Sequence, residues 1–271
     1  MTKRFEDLTF ADDGMFQAVL RDPAICAEFV ELLLGVSVEH VEYPELEKVI
    51  EPFYTTKGVR LDVYLKDEDR VIDVELQSYN LTELGKRMRY YEAMVDIDSL
   101  LKGQPYDKLK ESYILFICKF DPFVDKDGKP FGLPCYSFRN ICKENAAVNL
   151  NDKSHKVVYN ASAYESEKNE RIKALLRYIQ TDESGEDDFS KRLDTLVSRM
   201  KENEKFKREY MLMNLHDYDI LRKGREEGLA AGSQQKAIED AVMLVKDFNV
   251  DPKVAAEKTG APLDKVLKAV S

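Results

Sequence analysis

Residues 58–77 read GVRLDVYLKDEDRVIDVELQ, and their reading decides the fold. Two alternating segments, Val59–Leu65 and Val71–Gln77, flank a charged turn and predict a β-hairpin. Val59, Leu61, Val63 and Leu65 fall on one side of the first strand, and Ile72, Val74 and Leu76 on one side of the second. Arg60, Asp62 and Tyr64 fall on the other side, with Asp73, Glu75 and Gln77. Directly opposed residue numbers must then sum to an odd value, because an even sum turns one strand's carboxylates into the core at prohibitive cost. A four-residue loop, Lys66–Asp69, sets Asp62 opposite Asp73, with Glu75 on the diagonal; a six-residue loop, Lys66–Val71, sets Asp62 opposite Glu75. Both registers let the carboxyl groups of Asp62 and Glu75 converge on a polar sheet face. Close carboxylates raise one another's pKa unless a cation lies between them. Oxygen-only donors select a hard ion such as Mg²⁺, with Mn²⁺ or Ca²⁺ as substitutes.

The order Asp62, short loop, Glu75-Leu76-Gln77 resembles the PD-(D/E)XK nuclease superfamily, with Gln77 where that pattern has Lys. The longer strings Gly58–Asp62 and Asp73–Gln77, then Arg87 and Tyr90-Tyr91, resemble its recombination-promoting nuclease and transposase branch. Asp12-Asp13-Gly14-Met15-Phe16 is similar to the opening motif of that branch, with Gln17 where it usually has Lys. The resemblance covers the first half of the chain closely and the rest loosely. It implies a restriction-endonuclease-like core and metal-dependent hydrolysis of DNA phosphodiester bonds, in DNA exchange or defence against foreign DNA. Asp62 and Glu75 would hold the ion, with the Leu76 carbonyl as a further ligand. Gln77 would orient a water, and Arg87 would help replace the missing lysine charge. Asp12, Asp13, Arg60, Asp73, Tyr90 and Tyr91 are supporting or DNA-contacting candidates; an N-cap role explains Asp12 or Asp13 equally well, and Arg87 and Tyr91 could stack on each other. The alternative is a non-catalytic interaction or DNA-binding protein that keeps the fold.

Around the hairpin, the pattern predicts helix from Asp12 or Asp13 to about Leu34 with a break at Pro23, strand from about Val49, helix from Thr82 to about Leu101, and buried strand over Tyr113–Phe120. Shorter strands follow at Leu133–Arg139 and Val157–Asn160. The fold class is therefore α/β (α+β), a mixed central sheet flanked by helices, with an all-helical C-terminal region. Domain divisions are expected at 1–165, 166–232 and 233–271. Helices are expected over Lys168–Ile179, Phe189–Tyr210 and from Gln235 on. Gly224, Gly228 and Gly232 recur every fourth residue; on a helix they form a stripe for close approach of a second helix, and otherwise a flexible linker. The last two helices, around Thr259-Gly260, resemble a helix-turn-helix pair. The terminal group also contains Val242, Leu244, Val245 and Phe248, more apolar surface than two short helices can bury by themselves, which points to a homodimer through the C-terminal helices.

Composition narrows the remaining classes. A net charge of −10 over 271 residues excludes a chain coated for nucleic acid, though not a local DNA-binding patch. No apolar run is long enough for a membrane span and Met1–Asp7 has no signal-peptide core, so a cytoplasmic protein without membrane contact is expected. Cys26 and Cys118 lie in apolar patterns as core residues, and no Cys/His spacing fits zinc.

Overall fold

The computed structural model describes residues 3–38, 45–50, 58–66, 69–79 and 83–270. They divide into two compact units, residues 3–207 and residues 208–271. The first unit is built on a six-stranded mixed sheet in the order β1-β2-β3-β4-β6-β5. The strands are β1 (Glu45–Ile50), β2 (Val59–Lys66), β3 (Arg70–Gln77), β4 (Glu111–Cys118), β5 (Cys135–Phe138) and β6 (Ser154–Asn160). The helices of this unit are α1 (Asp13–Leu20), α2 (Pro23–Leu34), α3 (Leu84–Ser99), α4 (Glu170–Thr181) and α5 (Asp188–Lys201). Strands β1, β2 and β3 form an antiparallel meander, whereas β3, β4 and β6 run parallel. The β3–β4 pair needs a crossover, and α3 supplies it.

Alternation along β6 shows which helices cover which face. Val158 joins a buried cluster with Leu84, Met88, Met94 and Val95 of α3. Its neighbour Tyr159 donates through its hydroxyl to the Leu33 carbonyl of α2, at 2.7 Å. Helices therefore lie on both faces, and β4 reads as an almost unbroken apolar run because both its sides are buried. On the α2 side, Phe10, Phe16, Phe29 and Tyr178 interlock with ring centroids 5.4–6.1 Å apart. Glu28 of α2 ties down Arg171 of α4 and Arg192 of α5.

Local signals explain the helix limits. Asp22 accepts from the amides of Ala24 and Ile25, Pro23 occupies the first turn, and Gly35 leaves α2 with φ 66°, so the first helical pattern is two helices. Asp12 stands at the start of α1 without a side-chain cap bond. The expected helix Phe189–Tyr210 is interrupted: α5 stops at Lys201, and α6 (Glu204–Phe248) begins where Asn203 accepts from the amides of Lys205 and Phe206. The backbone is helical through Gly224, Gly228 and Gly232; the surroundings of the first two lie outside the described residues. Strand β1 starts at Glu45, earlier than expected, while residues 51–57 and Thr82 lie outside the described set.

In the second unit, α6 ends at Phe248 and is followed by α7 (Pro252–Thr259) and α8 (Leu263–Val270). Asp251 caps α7 and Gly260 ends it with φ 76°. Ala241, Ala255, Ala256, Ala261 and Val266 form a small core, with Leu244 and Val245 against it. Phe248, Met243 and Leu267 stay exposed. Among the described residues no helix is long and apolar enough to cross a membrane.

Candidate active site

The hairpin adopts the second of the two registers. Val63 faces Val74, Leu65 faces Ile72 and Lys66 still pairs with Val71, so the turn is tighter than a six-residue loop. One step further along, the same register sets Asp62 opposite Glu75. The regular ladder stops there. The Asp62 amide donates to Glu75 Oε1 at 2.9 Å, and the Leu76 amide donates to Asp62 Oδ2 at 3.4 Å. Each carboxylate thus fills a ladder position on the other strand.

Strict alternation also fails at this point. Val59, Leu61 and Tyr64 share the α3-side cluster, although a regular pleat would send Leu61 and Tyr64 to opposite faces. The pleat is therefore interrupted between them, at Asp62, as happens where strands re-aim a functional side chain. Val59 and Leu61 accordingly lie with Tyr64 and not across the sheet from it. The expected polar sheet face is a second correction: it is buried. Asp62 is 8% exposed, Glu75 2% and Asp73 0%. Arg87 of α3 reaches over Glu75 and Asp73, and Gln17 of α1 reaches Asp62.

Burial sets the electrostatics. Loss of water, with Asp13 nearby, pushes the Asp62 carboxyl up to about 6. Burial, then the neighbouring Asp73 and Asp62 charges, pushes Glu75 well above the usual carboxylate range. Burial and Asp62 do the same to Asp73, whose two oxygens have no hydrogen-bond partner. Arg60 lies near Asp62, and Arg87 faces Glu75. Arg87 Nη1 donates to Gln77 Oε1 at 3.1 Å, its Nη2 donates to the Tyr91 hydroxyl at 2.9 Å, and Nη2 lies 3.9 Å from Glu75 Oε2. The guanidinium also lies over the Tyr91 and Phe116 rings.

A cleft of about 730 Å³ opens onto Asp62 and Glu75. Among the residues picked out from sequence, Asp13, Arg60, Leu76, Gln77, Arg87, Tyr90 and Tyr91 line it. Asp12 does not; it is held by the amide and hydroxyl of Thr9 and by Lys3. Asp73 lies behind Glu75 without reaching the cleft surface. Sequence reasoning missed Tyr79, Lys86 and Arg89, which also line it. The last two are legible as the turn of α3 around Arg87. It also gave no role to Gln17, whose Nε2 donates to Asp62 Oδ1 at 3.3 Å.

Whether these residues suit a metal ion can be judged from their donors. Among the described residues no group of three or more His, Cys, Asp or Glu side chains is arranged to hold one. Mg²⁺ needs no such cage, since it takes one or two carboxylates and keeps several waters. Asp62 and Glu75 supply two, and each of their oxygens can accept more than one partner. The Leu76 N–H points at Asp62, while the next carbonyl, that of Gln77, accepts from Lys119 on the opposite edge. N–H and C=O of one strand residue leave on the same edge, so the Leu76 carbonyl also faces Asp62. The donor set is all oxygen, and the burial and mutual repulsion that raise the pKa of these carboxylates are what a bound cation would offset. Both features fit a hard divalent cation.

Residues 15–132 match the family described as PD-(D/E)XK nuclease family transposase. The match runs from α1 through the turn after β4 and contains Asp62, Glu75, Gln77 and Arg87. It supports the resemblance read from the sequence over this part of the chain. No curated protein and no solved structure matches the chain.

Proposed function

We propose that the protein is a metal-dependent endonuclease that hydrolyses DNA phosphodiester bonds. The observation that carries this reading is the convergence of Asp62 and Glu75 at the base of a cleft, with Arg87 beside Gln77. Asp62, Glu75 and the Leu76 carbonyl would hold Mg²⁺, or Mn²⁺ or Ca²⁺ in its place. Such an ion, when bound, polarises a phosphoryl oxygen and lowers the pKa of a water. Gln77 cannot carry charge. With its Oε1 held by Arg87, its Nε2 donors remain for a water or a phosphate oxygen. Arg87 supplies the permanent positive charge that the superfamily lysine would otherwise bring, and it stabilises charge developing on the phosphate. Asp13 and Arg60 lie at the rim on the α1 side. The direct test is supercoiled plasmid incubated with purified protein in Mg²⁺, Mn²⁺, Ca²⁺ or EDTA. Cleavage of the plasmid, or of a single-stranded DNA circle run beside it, that requires an ion and stops in EDTA supports the reading; both substrates intact under every condition sink it.

The division of labour between Gln77 and Arg87 makes a second prediction. Arg87→Ala is expected to reduce the cleavage rate by about 10²–10³, the usual loss on removing one transition-state donor. Adding Gln77→Lys to Arg87→Ala should recover part of that loss, because it returns a cation to the same place. A double variant no faster than Arg87→Ala in single-turnover assays would show that Arg87 acts through packing of Tyr91.

Concerted cutting of both strands needs two centres at a fixed spacing, which a two-fold dimer provides. The exposed Phe248, Met243 and Leu267 of the second unit offer self-complementary apolar surface for it. The protein is therefore expected to be a homodimer through its C-terminal helices. Phe248→Glu with Leu267→Glu should halve the mass measured by light scattering and shift plasmid products from linear to nicked circles. An unchanged mass would place any dimer contact elsewhere.

A further inference from the structure

The cleft limits what kind of strand can reach the carboxylates. Its volume of about 730 Å³ is that of a pocket for a ligand of drug size, on the order of two nucleotides and far less than a duplex. Asp62 and Glu75 are almost wholly buried in it, so a phosphate reaches them only if its own nucleotide enters. Charge alone gives little grip. The cations Arg60, Lys86, Arg87 and Arg89 are matched by the carboxylates Asp13, Asp62, Glu75 and Glu83, and Lys86 is paired with Glu83 at 2.6 Å. Phosphate contacts contribute to binding of either kind of strand, so charge does not choose between them and the aromatic surface must.

What the cleft offers in addition is aromatic surface. Tyr79, just past the end of β3, is 70% exposed. The backbone beside it is anchored, because Ser78 Oγ donates to the Ala11 carbonyl at 2.7 Å. Tyr90 of α3 opens into the same cleft and is 36% exposed. Tyr91 lies deeper: its hydroxyl accepts from Arg87, and its ring lies 5.9 Å from that of Phe116. Exposed aromatic rings beside cations are the means by which proteins hold unpaired bases without reading their sequence.

We propose that the cleft takes an unpaired DNA strand, with its bases stacked on Tyr79 and Tyr90. This rests on the nuclease reading of the same site and names its substrate class. The test uses the full chain carrying Glu75→Gln, so that the probe is not cut. Fluorescence anisotropy then compares a labelled oligothymidylate with a DNA hairpin duplex at one fixed salt concentration. The single strand should bind at least about tenfold more tightly than the duplex. Tyr79→Ala and Tyr90→Ala should each weaken single-strand binding by about five- to 150-fold and change duplex binding by less than about twofold. Tyr79→Phe and Tyr90→Phe should retain single-strand binding. Equal or tighter duplex binding, an equal loss on both probes, or binding of an oligouridylate that excludes the deoxy strand would overturn the proposal. The two readings fail separately. Metal-dependent cutting without tyrosine-dependent strand preference removes this inference and keeps the nuclease. Tyrosine-dependent strand binding by a wild-type chain that cuts nothing in any ion does the reverse.

Discussion

Glu75→Gln is expected to reduce metal-dependent cleavage by about 10²–10⁴, the rate equivalent of several kcal/mol of charge stabilisation at the phosphate. The substitution isolates charge from structure. The amide that replaces the carboxylate keeps an oxygen to accept from the Asp62 N–H, so the join between β2 and β3 survives. What disappears is one of the two carboxylates proposed to hold the ion. Asp62→Asn should lose cleavage alike; its single amide oxygen can keep the bond from either the Leu76 amide or Gln17 but not both, so some loss of stability is expected beside it. A second measurement separates lost ion binding from lost chemistry. An ion that binds the folded chain at a hundred times its Kd stabilises it by about 2.7 kcal/mol, or roughly 5–11 °C in Tm for a domain of this size. Wild-type protein should show that rise when Mn²⁺ replaces EDTA in differential scanning calorimetry, and both variants should lose most of it. Wild-type cleavage by Glu75→Gln, or an undiminished Mn²⁺ shift in it, would exclude Glu75 as a ligand.

Asp73→Asn should stabilise the protein in EDTA by about 1–4 kcal/mol near neutral pH. Asp73 is fully buried, lacks hydrogen-bond partners and sits beside Asp62 and Glu75. Its folded pKa lies well above the unfolded value, so at neutral pH the folded state must take up a proton, or hold a buried charge, that the unfolded state does not. The penalty is absent below the unfolded pKa, near 4, and grows as pH rises towards the folded pKa. Asparagine has nearly the same shape and needs no proton. Its advantage should therefore be largest at pH 7–8 and vanish near pH 3–4. Urea unfolding of both proteins in EDTA at the two ends of that range measures it. A variant less stable than wild type at neutral pH would mean that Asp73 has a favourable partner there.

The stabilising effect of Asp73→Asn would also mark Asp73 as a residue kept at a cost to the metal-free fold. A divalent cation between Asp62 and Glu75 would offset much of the same repulsion. The three carboxylates are thus expected to respond together to ion binding.

Much of this site was legible along the chain. A period of two fixes which side chains share a sheet face, and the odd-sum rule left two registers, both joining Asp62 to Glu75. Asp22-Pro23, Gly35, Asp251-Pro252 and Gly260 marked helix ends because their capping chemistry is local. Cys26 and Cys118 were recognisable as core residues from the apolar runs around them. Three features depended on contacts that no local pattern contains. The carboxylate face is buried because Arg87 of α3 and Gln17 of α1 reach over it, and where those helices lie follows from tertiary topology. Arg87 meets Gln77 because the end of β3 and the start of α3 meet in space, so a cation from another element stands beside Gln77. Asp62 leaves the regular pleat because Leu61 and Tyr64 both find the α3 core, and two apolar side chains entering one core outweigh strict alternation along a short strand. Local periodicity could propose the pair of carboxylates; tertiary packing decided how deeply they lie and that Arg87 of α3 faces Glu75.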